Sequence, residues 1–508
     1  MKNQHAIQKP VKISLFILFS IVCSLNAQQI RTPLEKNNFA RPSSYEELSD
    51  FTRQLDESSG LVTVETAGRS VRGRNLYAIK FSSSEFGKDK AKIKVLIFAQ
   101  QHGDEQSGKD GALLLARELI LPENRYLFEK LDLMIIPQMN PDGSEANNRV
   151  NSNDADLNRN HLILTEPETI ALHQLFDRYL FEVAMDVHEY SPYGKAWKNY
   201  GYRDNSDELL GTPTNINVSS KIRNLANRDF MPYLKNYCSG RHISCFVYAP
   251  GGPPEIRYIR HSTFDINDGR QSLAIQNTFS FILEGKNGED DFAENIRHRA
   301  EGQMTAMRGL LEYTYLNAGK IKKLITGERG KLISGKSGEK IPVQLIHAAN
   351  GQKLDLPVYS YRTGKDSVIT VNDYRPVVKS IFDVDKTEGY LVPVADKDLT
   401  DWVERQAFRT EPAQLKKSCK IEQYSIESVD SIDFEGDMVI NPTVSLKEYG
   451  SDIKADDFIY VPTAQLKGIL LVIALEPKSM LGLATYPQFA YLVKAGTTYR
   501  ILRVAKKE

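Results

Sequence analysis

An apolar run that stops dead at a histidine constrains this chain more than anything else in it. From Val95 the residues read Val-Leu-Ile-Phe-Ala-Gln-Gln-His-Gly-Asp-Glu, with a carboxylate at Glu105, three positions after His102. Residues 95–99 are short, apolar and followed by polar and glycine residues, which predicts a central strand of a sheet covered on both faces. A helical pattern follows over residues 111–120. His102 and Glu105 therefore fall just past the carboxyl end of a strand, the rim where open α/β sheets keep their ligand sites. At this spacing an imidazole and a carboxylate converge on one point. Zinc accepts both, and a catalytic zinc takes three protein ligands and leaves a fourth position to water. Alone, His-x-x-Glu more often marks a solvated ion pair or a cap. A second apolar run ending in an imidazole, Val183-Ala-Met-Asp-Val-His188, is what raises the metal reading, with His188 as third ligand.

The surrounding pattern alternates strand and helix. Residues 62–68 and 76–81 read as two strands at one edge, residues 131–139 as another buried strand, and residues 165–180 as a helix capped by Thr165-Glu-Pro-Glu168. Strand, helix, strand in that order implies parallel pairing with right-handed crossovers. Residues 277–284 form a further buried run ending in Glu284, which no histidine precedes at ligand spacing. Its position at the same rim suits a general base better than a ligand. After the turn Asn140-Pro-Asp-Gly143 come Arg149 and the run Asp156-Leu-Asn-Arg-Asn160. Arginines and amides near a strand end can hold a carboxylate or a developing oxyanion. On composition alone a polar surface loop is the simpler reading.

At 508 residues the chain is too long for one ordinary domain. Lys plus Arg equals Asp plus Glu at 65 each, so no overall field favours nucleic acid or an anionic membrane. A small substrate or a peptide is the expected partner. Lys2, Lys9 and Lys12 precede the apolar segment 13–22 and a small-residue stretch up to Ala27. That layout predicts an export signal over residues 1–27, too short for a stable membrane span, with lipidation at Cys23 as the alternative. The periplasm or the exterior is the expected location. Cys238 and Cys245 are close enough for one loop disulfide, leaving Cys419 single. Beyond residue 320 the pattern changes to short strand-like runs at 340–347, 356–361, 458–461 and 468–474. The expected division is a catalytic domain over residues 28–320 and one or two β-rich modules over residues 321–508.

Six motifs now stand in one order: His102-Gly-Asp-Glu105, Asn140-Pro-Asp-Gly143, Arg149-x-Asn151, Asp156-Leu-Asn-Arg-Asn160, Asp186-Val-His188 and Phe281-Ile-Leu-Glu284. Over roughly residues 40–320 the chain resembles the zinc carboxypeptidases of the carboxypeptidase A family, and its C-terminal runs resemble the extra modules of large bacterial exported members. The resemblance implies an α/β fold with a mixed, mostly parallel central sheet and helices on both faces. It implies one zinc ion held by His102, Glu105 and His188, with Asp156 orienting the first histidine. Glu284 corresponds to the general base, and Arg149 to the arginine that stabilises the oxyanion. Asn158 and Arg159 correspond to the pair that grips the terminal carboxylate of a peptide. Tyr258 is the nearest candidate for the family's pocket tyrosine. Arg270, in the region of the side-chain pocket, either selects an acidic group or pairs with Asp265 or Asp268. The expected function is an exported zinc metallocarboxypeptidase. The alternatives are an amidase or deacylase on the same scaffold, or an inactive peptide- or glycan-binding protein.

Overall fold

Strand after strand of this chain is apolar on both of its faces, and the sheet that results has two cores. In the computed structural model, which describes residues 30–334, 339–413, 418–450 and 453–507, the strands of the first half are β1 (Val62–Arg69), β2 (Asn75–Phe81), β3 (Ile93–Ala99), β4 (Leu131–Ile136), β5 (Val183–Tyr190), β6 (Tyr202–Asp204), β7 (Glu208–Gly211), β8 (Cys245–Val247), β9 (Ile259–Arg260) and β10 (Phe279–Lys286). Eight of them form one sheet in the order β1-β2-β4-β3-β5-β10-β7-β8. Its centre, β4-β3-β5-β10, is parallel throughout, while β1, β2 and β7 join antiparallel. The fold is therefore the mixed α/β sheet expected. Along β3 the side chains alternate. Val95, Ile97 and Ala99 enter a core with Leu113 and Ala116 of the helix Gln106–Leu119, whereas Leu96 and Phe98 enter a second core with Leu172 and Phe176 of the helix Pro167–Tyr179. Alternation within an unbroken apolar run is what a strand covered on both faces requires. The parallel centre brings the carboxyl ends of β3, β5 and β10 to one rim.

Several local readings need correction. The helix after β3 begins at Gln106, five residues before the periodic run at Gly111, because its first turn is buried and polar. The helix Pro167–Tyr179 has Glu166, not Thr165, as its N-cap residue, with no side-chain cap bond. Residues 468–474 are not a strand: Gly468–Leu475 is a helix with all eight residues buried. An apolar run with no polar face carries no period, so strand and helix look alike in sequence. Cys238 and Cys245 are buried free thiols in hydrogen-bond contact, which together with burial raises the Cys245 pKa. The export segment, with Cys23, lies outside the described residues. Among the described residues no helix is long and apolar enough to cross a membrane.

The C-terminal half does contain additional sheets, and it is stitched to the first half. The helix Ala318–Ser334 runs across residue 320, and its Arg329 donates to the carbonyls of Leu180 and Phe181 and to Thr278. The strand Leu354–Ser360 pairs antiparallel with β6, and Tyr374–Arg375 pairs parallel with β9. The buried Trp402 donates Nε1 to Leu162 O at 2.9 Å, and Lys467 reaches Asp177 at 2.8 Å. A long hairpin, Cys419–Phe434 with Asp437–Glu448, reaches back to the first half, where Arg260 of β9 contacts Glu435 at its tip.

Candidate active site

The rim of the parallel centre collects the chemistry. Ala99 and Val187 are register partners on β3 and β5, and His188 and Glu284 are register partners on β5 and β10. His102 and Glu105 lie in the short connection that follows β3, Glu105 being the N-cap residue of the helix Gln106–Leu119. Close packing holds this connection in place. A Cβ at Gly103 would overlap the backbone of Gly143 and Ser144, so only glycine lets the turn after β4 lie against it. Gln100, at φ +58°, turns the chain at the strand end, and its amide bonds Gly103 O, Gln106 and Ser144.

His102, Glu105 and His188 are buried, and each offers one ligand atom within 4.8 Å of the others. Nδ1 of His102 stands 2.7 Å from Glu105 Oε1, Nδ1 of His188 stands 2.8 Å from Glu105 Oε2, and the two Nδ1 atoms are 3.1 Å apart. The far nitrogens are taken: His102 Nε2 meets Asp156 Oδ1 at 3.1 Å, and His188 Nε2 meets Asp186 Oδ1 at 2.9 Å. With each imidazole proton on Nε2 toward its carboxylate, both Nδ1 lone pairs and the Glu105 carboxylate face one point. Three electron-pair donors so close attract a cation. The protonation equilibria agree: burial opposes a charged imidazole at His102 and His188, yet the facing carboxylates outweigh it and raise both. Burial likewise opposes charge at Glu105, and the two imidazoles overcome it and hold the carboxyl far below its usual range. Two imidazoles and a carboxylate are a donor set that zinc accepts, so the residues fit that ion.

The other expected residues fall as follows. Glu284 is buried beside the triad, and desolvation pushes its carboxyl up to about 7, with His188 pulling the other way and Glu105 adding to the rise. Arg149 is half-exposed, bound to Asp156 at 3.0 Å and 3.8 Å from Glu105. Arg159 donates to Asn158 O and lines a neighbouring cavity. Asn158 Oδ1 accepts from Gly269 N at 2.7 Å and from Gln101 Nε2 at 3.2 Å. Its carbonyl oxygen is therefore engaged within the protein. Of the two alternatives for Arg270, the structure has the pairing: the side chain has no exposure and bonds Asp268 at 2.8 Å. Tyr258 is stacked under Arg375, at 3.9 Å. Tyr248 instead lines the cavity with Arg159, and burial raises its hydroxyl pKa, with Glu284 pushing the same way. Asp186 and Gln101 also went unassigned. Gln101 Nε2 donates to both Asp186 oxygens, at 3.0 and 2.9 Å. The signal for Asp186 was present: two residues before His188 on a strand, it shares a face with the ligand.

A buried cluster of two histidines and one glutamate at the rim of such a sheet is a candidate site for a catalytic metal ion. The family model for zinc carboxypeptidases matches residues 48–245. Carboxypeptidase 2 of Trichophyton equinum is 23% identical over 477 residues, covering 91% of this chain and 87% of that protein. Mouse carboxypeptidase M is 28% identical over 259 residues, covering 44% and 57%. Among solved structures, carboxypeptidase A from Helicoverpa armigera is 17% identical, covers 60% of this chain and 81% of its own, and has a TM-score of 0.44. The zinc carboxypeptidase match over residues 48–245 and the carboxypeptidase homologues together indicate a metallopeptidase hydrolase.

Proposed function

We propose that this is an exported enzyme that removes the C-terminal residue of peptides, with Glu284 as general base. The observation that carries the reading is the register of β5 against β10, with Glu284 directly opposite His188. His102, Glu105 and His188 would hold one zinc ion. Bound there, zinc supplies Lewis-acid chemistry, polarising a carbonyl and acidifying water. Glu284 takes the proton of the attacking water and delivers it to the leaving amine, a task suited to a carboxyl raised by burial. Arg149, oriented by Asp156, meets the negative charge that develops on the scissile oxygen. Arg159 binds the terminal carboxylate, with Asn158 fixing the loop beside it. Asp186 and Asp156 keep the two imidazoles in one tautomer. The export segment at residues 1–27 supports action outside the cytoplasm, and residues 28–320 form the catalytic unit. The test is Glu284→Gln. It should keep stoichiometric zinc and lose about 10²- to 10⁴-fold in turnover, whereas His188→Ala should lose the metal as well. Wild-type turnover in Glu284→Gln would refute the base.

A further inference from the structure

The cavity that Arg159 lines holds about 330 Å³, and it is walled by both halves of the chain. Arg159, Arg260 and Asp265 come from the catalytic half, while Phe434, Glu435 and Tyr486 come from the C-terminal half. Tyr248 also lines it. If Arg159 holds a terminal carboxylate, this cavity receives the terminal side chain.

We propose that Glu435, at the tip of the C-terminal hairpin, sets the charge of that pocket: by engaging Arg260 it leaves Asp265 to select a cationic side chain. The proposal rests on the carboxypeptidase reading above.

The hairpin tip is firmly held. Glu435 Oε2 accepts from Arg260 Nη2 at 3.0 Å, its Oε1 lies 2.9 Å from His347 Nε2, and its carbonyl accepts from Arg257 Nη2 at 2.7 Å. Gly436 follows at φ +107°, a conformation open to glycine. Arg260 is pinned from the other side, since β9 pairs with Tyr374–Arg375. Arg260 and Glu435 are each about nine-tenths buried and cancel in charge. Arg270 and Asp268 do the same behind them. Arg159 is reserved for the carboxylate.

Asp265 is then left with Arg159 as its main counter-charge, and a terminal carboxylate bound to Arg159 would draw that charge away. Asp265 is more than nine-tenths buried, and its Oδ1 has no hydrogen-bond partner among the described residues. A buried carboxylate left so is costly unless an incoming group meets it. Consistent with that, burial raises Asp265 to about 7, and Glu435 pushes the same way. Asp437 adds a further negative charge to the lining. Phe434, Leu481 and Tyr486 give the apolar wall that the methylene stem of lysine or arginine requires. An acidic side chain would meet Asp265 directly and find Arg260 occupied.

The experiment uses the zinc-loaded full chain and benzoyl-glycyl substrates ending in Arg, Lys, Leu or Glu. Wild type should rank Arg and Lys first in kcat/KM. Asp265→Asn should lower the Arg-to-Leu ratio about tenfold or more, the worth of a buried hydrogen bond to a charge. Glu435→Gln should free Arg260 and raise the Glu-to-Arg ratio by a similar factor. A wild type that prefers Leu or Glu overturns the proposal without either variant, as do ratios unchanged in Asp265→Asn. A zinc-loaded wild type that cleaves none of the four overturns the carboxypeptidase reading itself, and the pocket assignment with it.

Discussion

Asp186 offers the most direct test of how the metal centre is built, because it touches no ion and no substrate yet is wedged behind His188. Its side chain has no exposure, and it accepts from His188 Nε2 at 2.9 Å and from Gln101 Nε2 at 2.9 and 3.0 Å. Asp186→Asn keeps the shape but turns one acceptor oxygen into a donor. The oxygen at the Oδ1 position can still accept from both His188 and Gln101, but the new amide nitrogen at the Oδ2 position faces Gln101 Nε2, donor against donor. Gln101 cannot simply flip its amide, since its Oε1 accepts from His161 Nε2 at 2.7 Å. A charge-assisted bond therefore falls to a neutral one, and two buried donors are set against each other. Together these cost about 2–3 kcal/mol, or on the order of 30- to 150-fold in zinc affinity. Asp156→Asn should cost less, about tenfold, because the Asp156 side chain is 24% exposed and water can restore the lost contact. Competition for zinc against a chromophoric chelator measures both, with the melting temperature of the metal-free proteins as a control for folding. A folded Asp186→Asn protein that binds zinc within threefold of wild type would refute the argument, and would mean that packing alone orients His188.

Three further outcomes are expected. Arg159→Ala should cost substrates with a free C-terminal carboxylate about 10- to 100-fold in kcat/KM while sparing carboxyl-blocked amides; equal loss on both would favour the amidase reading. Gly103→Ala should lower the thermal midpoint by on the order of 5 °C, since its methyl meets immovable backbone rather than a flexible side chain; an unchanged midpoint in calorimetry would refute the close-packing account. Glu284 must be ionised to accept a proton, and a raised carboxyl pKa means activity is present above that value and lost as pH falls through it. The acid limb of kcat/KM should lie between the ordinary 4.5 and the about 7 of the ion-free site, and a profile flat down to pH 4 would refute the assignment.

What could be read in the chain beforehand follows from how local each constraint is. The strands of the parallel centre were legible because each buries both faces, and an unbroken apolar run bounded by polar turns has few other uses. His102, Glu105 and His188 were legible for the same reason: each ends or follows such a run, so the rim was foreseeable from where hydrophobicity stops. Glu208–Gly211 was not, although it pairs with β10 beside Glu284, because four residues in a polar stretch have no period to detect. Gly468–Leu475 misled in the opposite way, by having too much hydrophobicity and no polar face. The fates of Arg270 and Arg260 were beyond any local signal. Nothing near Arg270 in sequence distinguishes a buried partner of Asp268 from a substrate contact, and Arg260 meets its counter-ion at Glu435, 175 positions away. A ligand at a strand end is announced by its own neighbours, whereas the charge of a pocket is a balance among residues that only the folded chain introduces to one another. That is why a candidate metal triad could be picked out from motifs, and why the pocket wall supplied by the C-terminal hairpin required the structure.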